Sequence, residues 1–313
     1  MERTKQLFQE LQAGNIYQKI DHAIMVIERF CAEIPNPTIA FSGGKDSTVL
    51  MHLIRVVMNK NIPAHFVNTG NEYPEIIKFA TKKFDNTIVI RPKVKLKQVI
   101  EKYGFPLISK EYSKMIYELR KGTKVSSRYL TGIQQNGKQT TFVLPPKYHF
   151  LINTPFSCSD LCCSYLKKYP TQKYNSITGE MGAESVMRMT AWLHTGCNTF
   201  GKKRSKCKPL SIWTDRDIWE YKRLFNLEFC ELYDDFRVLR TGCMFCGFGA
   251  TFEKISRFEI LKERYPKIYN HFLKIENNGI TYRQALNAVG VTLPDQTGYQ
   301  HNIFNQQSFR HNP

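Results

Sequence analysis

Short apolar runs alternate with stretches of helical spacing in the first ninety residues of the chain. The runs at 38–41, 64–68 and 87–90 follow polar or proline-containing segments, a pattern that predicts buried strands. Helical spacing over 46–58 and 74–83 separates them. This alternation predicts an α/β fold with a parallel sheet and helices on both of its faces.

The alternation stops between about residues 105 and 156, where a basic stretch containing glycine and glutamine predicts an insertion or lid with one hairpin. Strand-like runs return at 176–179 and 209–213. A variant capping box at Thr214 predicts a helix over 215–224. The sheet therefore continues after the insertion.

Three segments follow from these patterns. Residues 1–34 carry apolar side chains at helical spacing, Ile20 and Ile27 among them, and predict leading helices. Residues 35–250 contain the strand and helix alternation and form the predicted α/β domain. Residues 251–313 return to helical spacing, which predicts a helical C-terminal extension.

The charge of the chain is strongly positive, at +18 from 45 Lys and Arg against 27 Asp and Glu. Residues 105–150 hold eight basic side chains against two acidic ones, and residues 201–208 hold five basic side chains in eight. Such an excess attracts polyanions, although a basic surface that only keeps the protein solvated is an alternative. Aromatic side chains that bases can stack on lie among the charges and favour nucleic acid, DNA or tRNA, as a partner. These are Tyr112, Tyr117, Tyr129 and Tyr148.

The cysteine content and the N-terminal sequence bear on the compartment. The nine cysteines are an odd number, and the first twenty residues lack the basic-then-apolar layout of a signal peptide. No apolar run approaches the ~20 residues that span a bilayer. We therefore expect a cytoplasmic protein without a membrane partner, whose cysteines bind metal or carry out thiol chemistry.

A glycine-containing turn between the first strand and its helix has the features of a phosphate site. The glycines let backbone N–H groups approach phosphate oxygens, and the helix N-terminus contributes partial positive charge. Lys45 can neutralise phosphate, and the hydroxyls of Ser42 and Ser47 can donate to it. An ordinary glycine turn is the bland alternative. The candidate phosphate-binding residues are Ser42, Gly43, Gly44, Lys45, Asp46 and Ser47, and the candidate catalytic residues are Lys45, Asp46 and Ser47.

A second turn of small residues, Asn68, Thr69 and Gly70, follows the second strand. Ligands of open parallel sheets bind at the carboxyl ends of the strands, so this turn is expected to share a pocket with the first. A plain helix-capping turn is the alternative.

Four cysteines show the spacing of a metal centre. Cys162 and Cys163 are adjacent. After 79 intervening residues, Cys243 and Cys246 form a C-x-x-C turn. Four thiolates hold either a [4Fe-4S] cluster or a structural zinc ion. The adjacent pair favours the cluster, because zinc sites usually contain two C-x-x-C turns. Unligated core thiols are a further alternative.

These motifs together resemble the PP-loop superfamily. The sequence S-G-G-K-D-S matches its S-G-G-x-D-S loop, and N-T-G-N-E-Y-P resembles the D-T-G-x-x-x-P turn of phosphoadenosine phosphosulfate (PAPS) reductases. The C-C and C-x-x-C pattern resembles that of adenylyl sulfate (APS) reductases. The resemblance, which covers about residues 35–250, implies a Rossmann-like sheet, an adenine nucleotide (ATP, APS or PAPS) with Mg²⁺, and a [4Fe-4S] cluster on the four cysteines.

The resemblance also implies positions for further site residues. The segment after the C-C pair resembles C-C-x-x-x-K-x-x-P of the family, which implies that Lys167 or Lys168 lies near the cluster and the nucleotide, with Lys168 as the candidate for binding the nucleotide. Gly179 and Arg188 match the ends of the family stretch G-x-R-x-x-x-S-x-x-R. Met181 stands where that stretch has its first arginine.

One feature of sulfonucleotide reductases has no counterpart here. Those enzymes attack with a cysteine near the C-terminus, whereas this sequence has no cysteine after Cys246 and offers His301 and His311 instead. The resemblance to Dnd-type DNA phosphorothioation sulfurtransferases, and to iron–sulfur tRNA thiolases, then favours another activity. It implies an enzyme that uses the α–β phosphate bond of ATP to activate an acidic substrate for sulfur transfer.

Two alternatives stay open. The first is an APS or PAPS reductase that acts with an external thiol or a thioredoxin-like partner, and the second is a noncatalytic nucleotide-sensing binder. Cys197 and Cys207 flank the basic segment 201–208, where cations would lower a thiol pKa. Either is therefore a candidate carrier of sulfur, against the alternative of an inert thiol.

Overall fold

The computed structural model describes residues 3–123, 126–235, 237–239, 241–253 and 255–295. As far as residue 169 the elements are α1 (Lys5–Ala13), α2 (Ile16–Glu33), β1 (Thr38–Ala40), α3 (Lys45–His52), β2 (Ala64–Val67), α4 (Pro74–Lys82), β3 (Thr87–Ile90), α5 (Leu96–Tyr103), β4 (Leu107–Ile108), α6 (Lys110–Arg120), α7 (Arg128–Thr131) and α8 (Leu161–Cys163). After it come β5 (Ser176–Thr178), α9 (Val186–Thr195), β6 (Asn198–Thr199), β7 (Lys206–Cys207), α10 (Asp215–Leu224), β8 (Gly247–Phe248), α11 (Arg257–Arg264), α12 (Pro266–Leu273), β9 (Glu276–Asn277), β10 (Ile280–Thr281) and α13 (Tyr282–Ala288). Short π-helical segments, Leu53–Val57 and Ser164–Lys168, continue α3 and α8, and 3-10 turns occur at Pro146–Ile152, Gly182–Glu184, Glu231–Asp234 and Ala250–Phe252.

The chain forms two compact units, each built from two segments. The first unit contains residues 1–91 and 170–241, and the second contains 92–169 and 242–313. The final residues, 296–313, with the predicted tail histidines His301 and His311, lie outside the described residues.

A six-stranded sheet forms the centre of the first unit. Its strand order is β3-β2-β1-β5-β7-β6, and every pair is parallel except β6 with β7. Buried side chains such as Ile39 and Ile177 line its central strands. The α/β, Rossmann-like fold predicted from the sequence is confirmed.

The strand order reverses between β1 and β5, the central neighbours. The chain runs from β1 outward to β2 and β3 on one side, and on the other side it runs from β5 to the edge strand β6 and then to β7, which lies between them. In open α/β sheets the crevice outside the carboxyl ends of such neighbours is the usual position of a ligand. The loops after β1 and β5 both open at this edge, since Ala40 pairs with Thr178.

The strand predicted over 209–213 is wrong. The strand of this region is β7, and residues 208–213 form turns, in which Ser211 N–H donates to Lys208 O at 3.2 Å and Trp213 N–H donates to Leu210 O at 3.0 Å. Leu210 and Trp213 are nevertheless fully buried. The apolar run reflects burial of a turn, which periodicity cannot distinguish from a short strand.

The second unit contains the segment predicted as an insertion. Its first part includes the eleven-residue helix α6, which the sequence reading did not predict and which buries Met115 and Ile116. The predicted hairpin is present as a bridge between Ile133 and Gln139. The last part of the described chain is mainly helical, and β9 pairs with β10 in a short hairpin. Among the described residues, no helix is long and apolar enough to cross a membrane.

A buried ion pair joins α2 to α10 in the first unit. Lys19 Nζ lies 2.7 Å from Asp217 Oδ2, and the two side chains are 3% and 8% exposed. Asp217 also accepts from the backbone N–H and the hydroxyl of Thr214, at 2.6 and 2.8 Å. The capping carboxylate predicted from the sequence thus also neutralises a buried lysine.

Removing this lysine should destabilise the fold, because the Asp217 carboxylate would stay buried without its cation. We expect Lys19→Met to lower the free energy of unfolding by about 3–5 kcal/mol, measured by urea titration. Lys97→Met is the matched control, since the Lys97–Glu101 pair is exposed and its charged atoms are 3.7 Å apart. The control should change stability by less than about 0.5 kcal/mol, and equal effects would contradict the prediction.

Candidate nucleotide site and thiolate centre

The turn between β1 and α3 needs glycine at its first bend. Gly43 has φ +74°, a left-handed conformation that side chains rarely adopt. A Cβ there would also lie 3.0 Å from Ile76 Cγ2 and 3.2 Å from Ile76 O. Gly44 is the N-cap of α3 and has no side chain to accept from the N–H groups of the first helical turn, of which Lys45 N–H donates to Tyr233 OH. Such a helix N-terminus suits an anion.

The two serines of the turn hold each other in place. Ser42 Oγ and Ser47 Oγ are 3.0 Å apart, and Ser47 Oγ also donates to Gly44 O at 2.9 Å. The backbone N–H of Gly44 donates to Ser42 Oγ at 3.3 Å. This network fixes the loop conformation with the groups that were predicted to bind phosphate.

Lys45 lies against two carboxylates. Its side chain is 7% exposed, and its Nζ lies 2.6 Å from Asp215 Oδ1 and 3.2 Å from Asp46 Oδ1. Burial would lower the pKa of Lys45, but the two carboxylates outweigh it and raise that pKa. Burial raises the pKa of Asp46, and the Lys45 charge opposes this. The site therefore holds a charged lysine within an acidic pair.

Two side chains distant in sequence cover the loop. Tyr233 OH accepts from the backbone N–H of Lys45 at 3.2 Å and lies 3.0 Å from Thr241 Oγ1. A Cβ on Gly44 would lie 3.1 Å from Thr241 Oγ1. The sequence patterns predicted neither Tyr233 nor Thr241 as a site residue, and they did not predict Asp215 either. Only Asp215 had a local signal, because it directly follows the helix cap Thr214.

The loop after β5 approaches the same helix. A Cβ on Gly179 would lie 3.0 Å from the carbonyl carbon and oxygen of Asp46, so the two backbones meet closely at this point. Arg188, in the first turn of α9, pairs with Glu184 at 2.5 Å, and its charge lowers the pKa of Asp46 against the larger effect of burial. The structure thus brings Gly179 and Arg188 near the start of α3, next to the turn between β1 and α3.

The polar groups of the turn after β2 form hydrogen bonds with one another. The Glu72 carboxylate accepts from the backbone N–H and the hydroxyl of Thr69, each at 2.9 Å, and Asn68 Oδ1 accepts from Gly70 N–H at 3.0 Å. Because β2 lies next to β1 in parallel register, this turn opens at the same edge of the sheet. Its role in nucleotide binding stays a prediction.

The four cysteines of the predicted metal centre all lie in the second unit. Cys162 and Cys163 end helix α8, and Cys246 N–H donates to Cys243 O at 3.1 Å in the C-x-x-C turn. Cys162 interacts electrostatically with the other three thiols. The two cysteine pairs are therefore close enough to interact electrostatically, and we call these four residues the thiolate centre.

The C-x-x-C turn is anchored by the elements around it. Arg257 Nη1 donates to Cys246 O at 2.9 Å, and Tyr282 OH donates to Phe245 O at 2.8 Å. The following strand, β8, pairs in parallel with β4. Gly247 allows this pairing, since a Cβ there would overlap Pro106 O and would lie 2.8 Å from Tyr282 OH.

The thiols of the centre titrate unequally. The hydrogen bond from Cys162 lowers the pKa of Cys163 to about 6, in spite of burial. The same hydrogen bond, together with burial, raises the pKa of Cys162 well above its usual value. Burial raises the pKa of Cys246 to about 12, and the charge of Cys243 acts in the same direction.

The lysines after the cysteine pair differ in their surroundings. The charges of Lys110 and Lys167 lower the pKa of Cys163, after the larger effects of its hydrogen bond and burial. Lys168, the lysine predicted to bind the nucleotide, is exposed at the end of the segment Ser164–Lys168 in the second unit.

Within the described ranges, no three His, Cys, Asp or Glu side chains form a group that could hold a metal ion. That finding concerns ligands that converge on one ion, whereas each thiolate of a [4Fe-4S] cluster binds a different iron atom. Four cysteines are the donor set of such a cluster. The residues present fit the group in number and chemistry, and the cluster itself is a proposal.

Of the two alternatives for the thiols beside the basic segment, a sulfur carrier and an inert thiol, burial favours the inert thiol. Burial raises the pKa of Cys197 and raises that of Cys207 well above its usual value, so burial outweighs the charge of Lys208. Cys207 is fully buried and Cys197 is half-buried. Cys158, next to the C-C pair in sequence, is also fully buried, and burial raises its pKa to about 12.

The predicted stacking tyrosines are mostly unavailable to a base. Tyr129 and Tyr148 are 2% and 7% exposed, and Tyr129 OH donates to Glu118 Oε2 at 2.7 Å. They pack in the second unit as core residues. Tyr112 and Tyr117 are half-buried.

The family model of the phosphoadenosine phosphosulfate reductase domain matches residues 36–247, more than half of the chain. The chain belongs to this family. The resemblance inferred from the motifs is confirmed at this level. The family is nucleotide-binding, and its members include enzymes such as PAPS reductase and sulfate adenylyltransferase subunit 2.

Two curated relatives illustrate the similarity. An uncharacterized protein of Methanocaldococcus jannaschii is 24% identical over 262 residues, which are 82% of this chain and 42% of that protein. Sulfate adenylyltransferase subunit 2 of Aliivibrio fischeri is 26% identical over 236 residues, which are 72% of this chain and 66% of that protein. The chain thus spans less than two thirds of the length of either relative.

Among solved structures, phosphoadenylyl-sulfate (PAPS) reductase from Candida auris, a phosphate complex, is similar with a TM-score of 0.39 and 12% sequence identity. The match covers 75% of this chain and 93% of that one.

The crowding at Gly43 can be separated from its backbone strain. We expect Gly70→Ala, at φ +77° with open space around the new Cβ, to cost about 1–2 kcal/mol of unfolding free energy. Gly43→Ala has nearly the same φ but meets Ile76, so it should cost a further ~1–3 kcal/mol. Urea titration of both variants measures the difference. Equal losses would mean that helix α4 yields to the added methyl group.

Proposed function

We propose that this protein is an adenine-nucleotide enzyme that binds ATP with Mg²⁺ at the β1–α3 turn and cleaves its α–β phosphate bond. The cleavage activates an acidic substrate, a nucleic acid, for sulfur transfer. One observation carries this proposal: a glycine turn leads into a helix N-terminus whose N-cap residue is glycine, beside a charged lysine, at the switch point of a parallel sheet. That combination suits a polyphosphate.

Each group of the loop has a chemical task in the proposal. The N–H groups at the start of α3 bind phosphate oxygens, and the hydroxyls of Ser42 and Ser47 donate to them. Lys45 stabilises the negative charge that develops as the bond breaks. Asp46 and Asp215, which hold Lys45 in this structure, are carboxylates of the kind that bind Mg²⁺.

The proposed reaction balances in two steps. An oxygen of the substrate attacks the α phosphorus, and the bond from that phosphorus to the bridging oxygen breaks, so that pyrophosphate leaves with the electron pair. A donor at the oxidation level of sulfide then attacks the activated atom, and AMP leaves with the substrate oxygen. No oxidant or reductant is consumed.

The thiolate centre supplies the second part of the proposal. Cys162, Cys163, Cys243 and Cys246 would hold a [4Fe-4S] cluster, which when bound supplies iron that can bind sulfur or exchange electrons. The lowered pKa of Cys163 favours a thiolate at that residue, and the positive charge of Arg257 offsets part of the effect of burial on the pKa of Cys246. An external sulfur donor of the sulfide class is required.

Similarity to an adenylyltransferase subunit supports ATP as the nucleotide. The match to the reductase domain favours a second candidate, reduction of APS or PAPS with a thiol from a thioredoxin-like partner. The sequence has no cysteine after Cys246, so the reductase reading needs that external thiol. The two candidates differ in their products, pyrophosphate and sulfite.

Pyrophosphate release from ATP tests the proposal. We expect the wild type to release pyrophosphate in the presence of single-stranded DNA or tRNA. Ser47→Ala should lower the rate by roughly 10- to 100-fold, the equivalent of one hydrogen bond to a charged group. Ser127→Ala, at an exposed serine of the second unit, is the matched control and should retain the rate.

Other results of this assay contradict the proposal. Sulfite formation from APS or PAPS with a thioredoxin and a reductant, without pyrophosphate release from ATP, would establish the reductase. Nucleotide binding without turnover under all conditions would instead establish a noncatalytic sensor.

Iron content tests the thiolate centre separately. After anaerobic reconstitution we expect about four iron atoms and four sulfides per chain, with a broad visible absorption. Cys246→Ser should lose most of this iron, because it removes a thiolate of the centre. Cys31→Ser is the control, since Cys31 lies on α2 in the first unit, and it should keep the wild-type content. A wild type that binds zinc in place of iron would contradict the cluster.

A further inference from the structure

Four tyrosines of the second unit form a partly exposed cluster. The rings of Tyr103 and Tyr165 are stacked, with centroids 5.0 Å apart and an interplanar angle of 17°. Tyr117 packs edge-on against Tyr103 at 6.4 Å, and Tyr169 packs edge-on against Tyr165 at 5.1 Å. We call these four residues the tyrosine platform. Tyr169 is 50% exposed, and the other three are half-buried.

The platform is held in place by its own contacts. The hydroxyls of Tyr103 and Tyr165 are 2.6 Å apart, which fixes the stacked pair at its polar ends. Tyr103 ends helix α5, and Tyr117 lies on α6. The rings are therefore anchored on different elements. Rigid aromatic side chains lose little conformational entropy when a ligand covers them.

Lysines surround the rings. Lys102 Nζ lies 5.4 Å from the ring centroid of Tyr103, and Lys121 Nζ lies 4.5 Å from that of Tyr117. Both lysines are exposed, and so is Lys168, next to Tyr169 in sequence. The platform thus combines aromatic faces with positive charge, the two requirements of a surface that binds single-stranded nucleic acid.

We propose that the tyrosine platform binds an unpaired segment of DNA or RNA, whose bases stack on its rings while the lysines contact the phosphates. This inference rests on the proposed nucleic-acid substrate and identifies where the strand is bound. An acidic peptide would use the lysines but has few flat rings to place on the tyrosines. A duplex keeps its bases stacked on one another and offers mainly phosphates.

The position of the platform relates it to the thiolate centre of the same unit. Tyr165 and Tyr169 lie in the segment that directly continues the helix of Cys162 and Cys163. A base stacked on this segment is held by the stretch of chain that carries two of the four thiols. The platform therefore positions the strand for the proposed sulfur transfer.

Binding without ATP tests the inference. The probe is a fluorescently labelled oligonucleotide of about 12 nucleotides, oligo(dT) or oligo(U), titrated with full-length protein and followed by anisotropy. We expect Tyr169→Ala to raise the dissociation constant by about tenfold, the effect of losing one stacked base. Tyr169→Phe should bind as the wild type does, because it keeps the ring. Tyr17→Ala, at a tyrosine of α2 that is 62% exposed, is the matched control.

Salt dependence separates stacking from charge. Tyr169→Ala should leave the slope of log affinity against log salt unchanged, since it removes no positive charge. Lys121→Ala should reduce the slope by about 0.7 for the lost phosphate contact. Heparin, a polyanion without bases, should bind Tyr169→Ala and wild type equally.

Three outcomes would overturn the inference: no binding of the oligonucleotide by the wild type, equal affinity of wild type and Tyr169→Ala, or tighter binding of a duplex of the same length. Each is independent of the pyrophosphate assay. If ATP is not cleaved but Tyr169-dependent binding is found, the platform stands and the proposed reaction fails. If ATP is cleaved with another acceptor and the oligonucleotide does not bind, the cleavage of ATP stands and the platform fails.

Discussion

The candidate nucleotide site depends on the left-handed turn at Gly43. The turn redirects the chain from β1 into α3 while Ile76 lies against it, so only a residue without a side chain fits both the backbone angle and the space. The serine network and the helix N-terminus follow from that geometry. Close approach is required a second time at Gly179, which meets the backbone of Asp46 from the adjacent strand. Glycines at both central loops allow the two backbones of the switch point to come together.

Charge is organised differently in the two units. In the first, carboxylates accompany the buried cations: Asp217 pairs with Lys19, and Asp46 and Asp215 pair with Lys45. In the proposed reaction, a polyphosphate bound at the loop competes with those carboxylates for Lys45. Mg²⁺ would then bind the carboxylates and the phosphates together. In the second unit the positive charges lie beside thiols. The hydrogen bond from Cys162 and, to a smaller extent, the charges of Lys110 and Lys167 lower the pKa of Cys163, whereas burial outweighs the charge of Arg257 and raises the pKa of Cys246.

Burial decided several properties that charge patterns had suggested otherwise. Cations next to Cys197 and Cys207 in sequence would activate a thiol, yet desolvation dominates and raises both pKa values. Tyr129 and Tyr148 of the basic segment are core residues, whereas Tyr169, outside that segment, is 50% exposed and Lys102 lies over the half-buried ring of Tyr103. A linear stretch of charged and aromatic residues therefore did not identify the surface that the folded unit presents.

The sequence by itself determined the α/β class, the strands β1, β2, β3 and β5, the phosphate-type turn and the pairing of a C-C with a C-x-x-C motif. These features depend on neighbours in the chain: side-chain periodicity, glycine at a bend, and the short spacing of cysteines. Only the tertiary structure decided that Tyr233 and Thr241 cover the loop, that Asp215 holds Lys45, and that residues 209–213 are a buried turn. The contacts of Lys45 with Tyr233 and Asp215 join residues far apart in sequence, and the burial of residues 209–213 is set by the whole packed unit rather than by any local pattern.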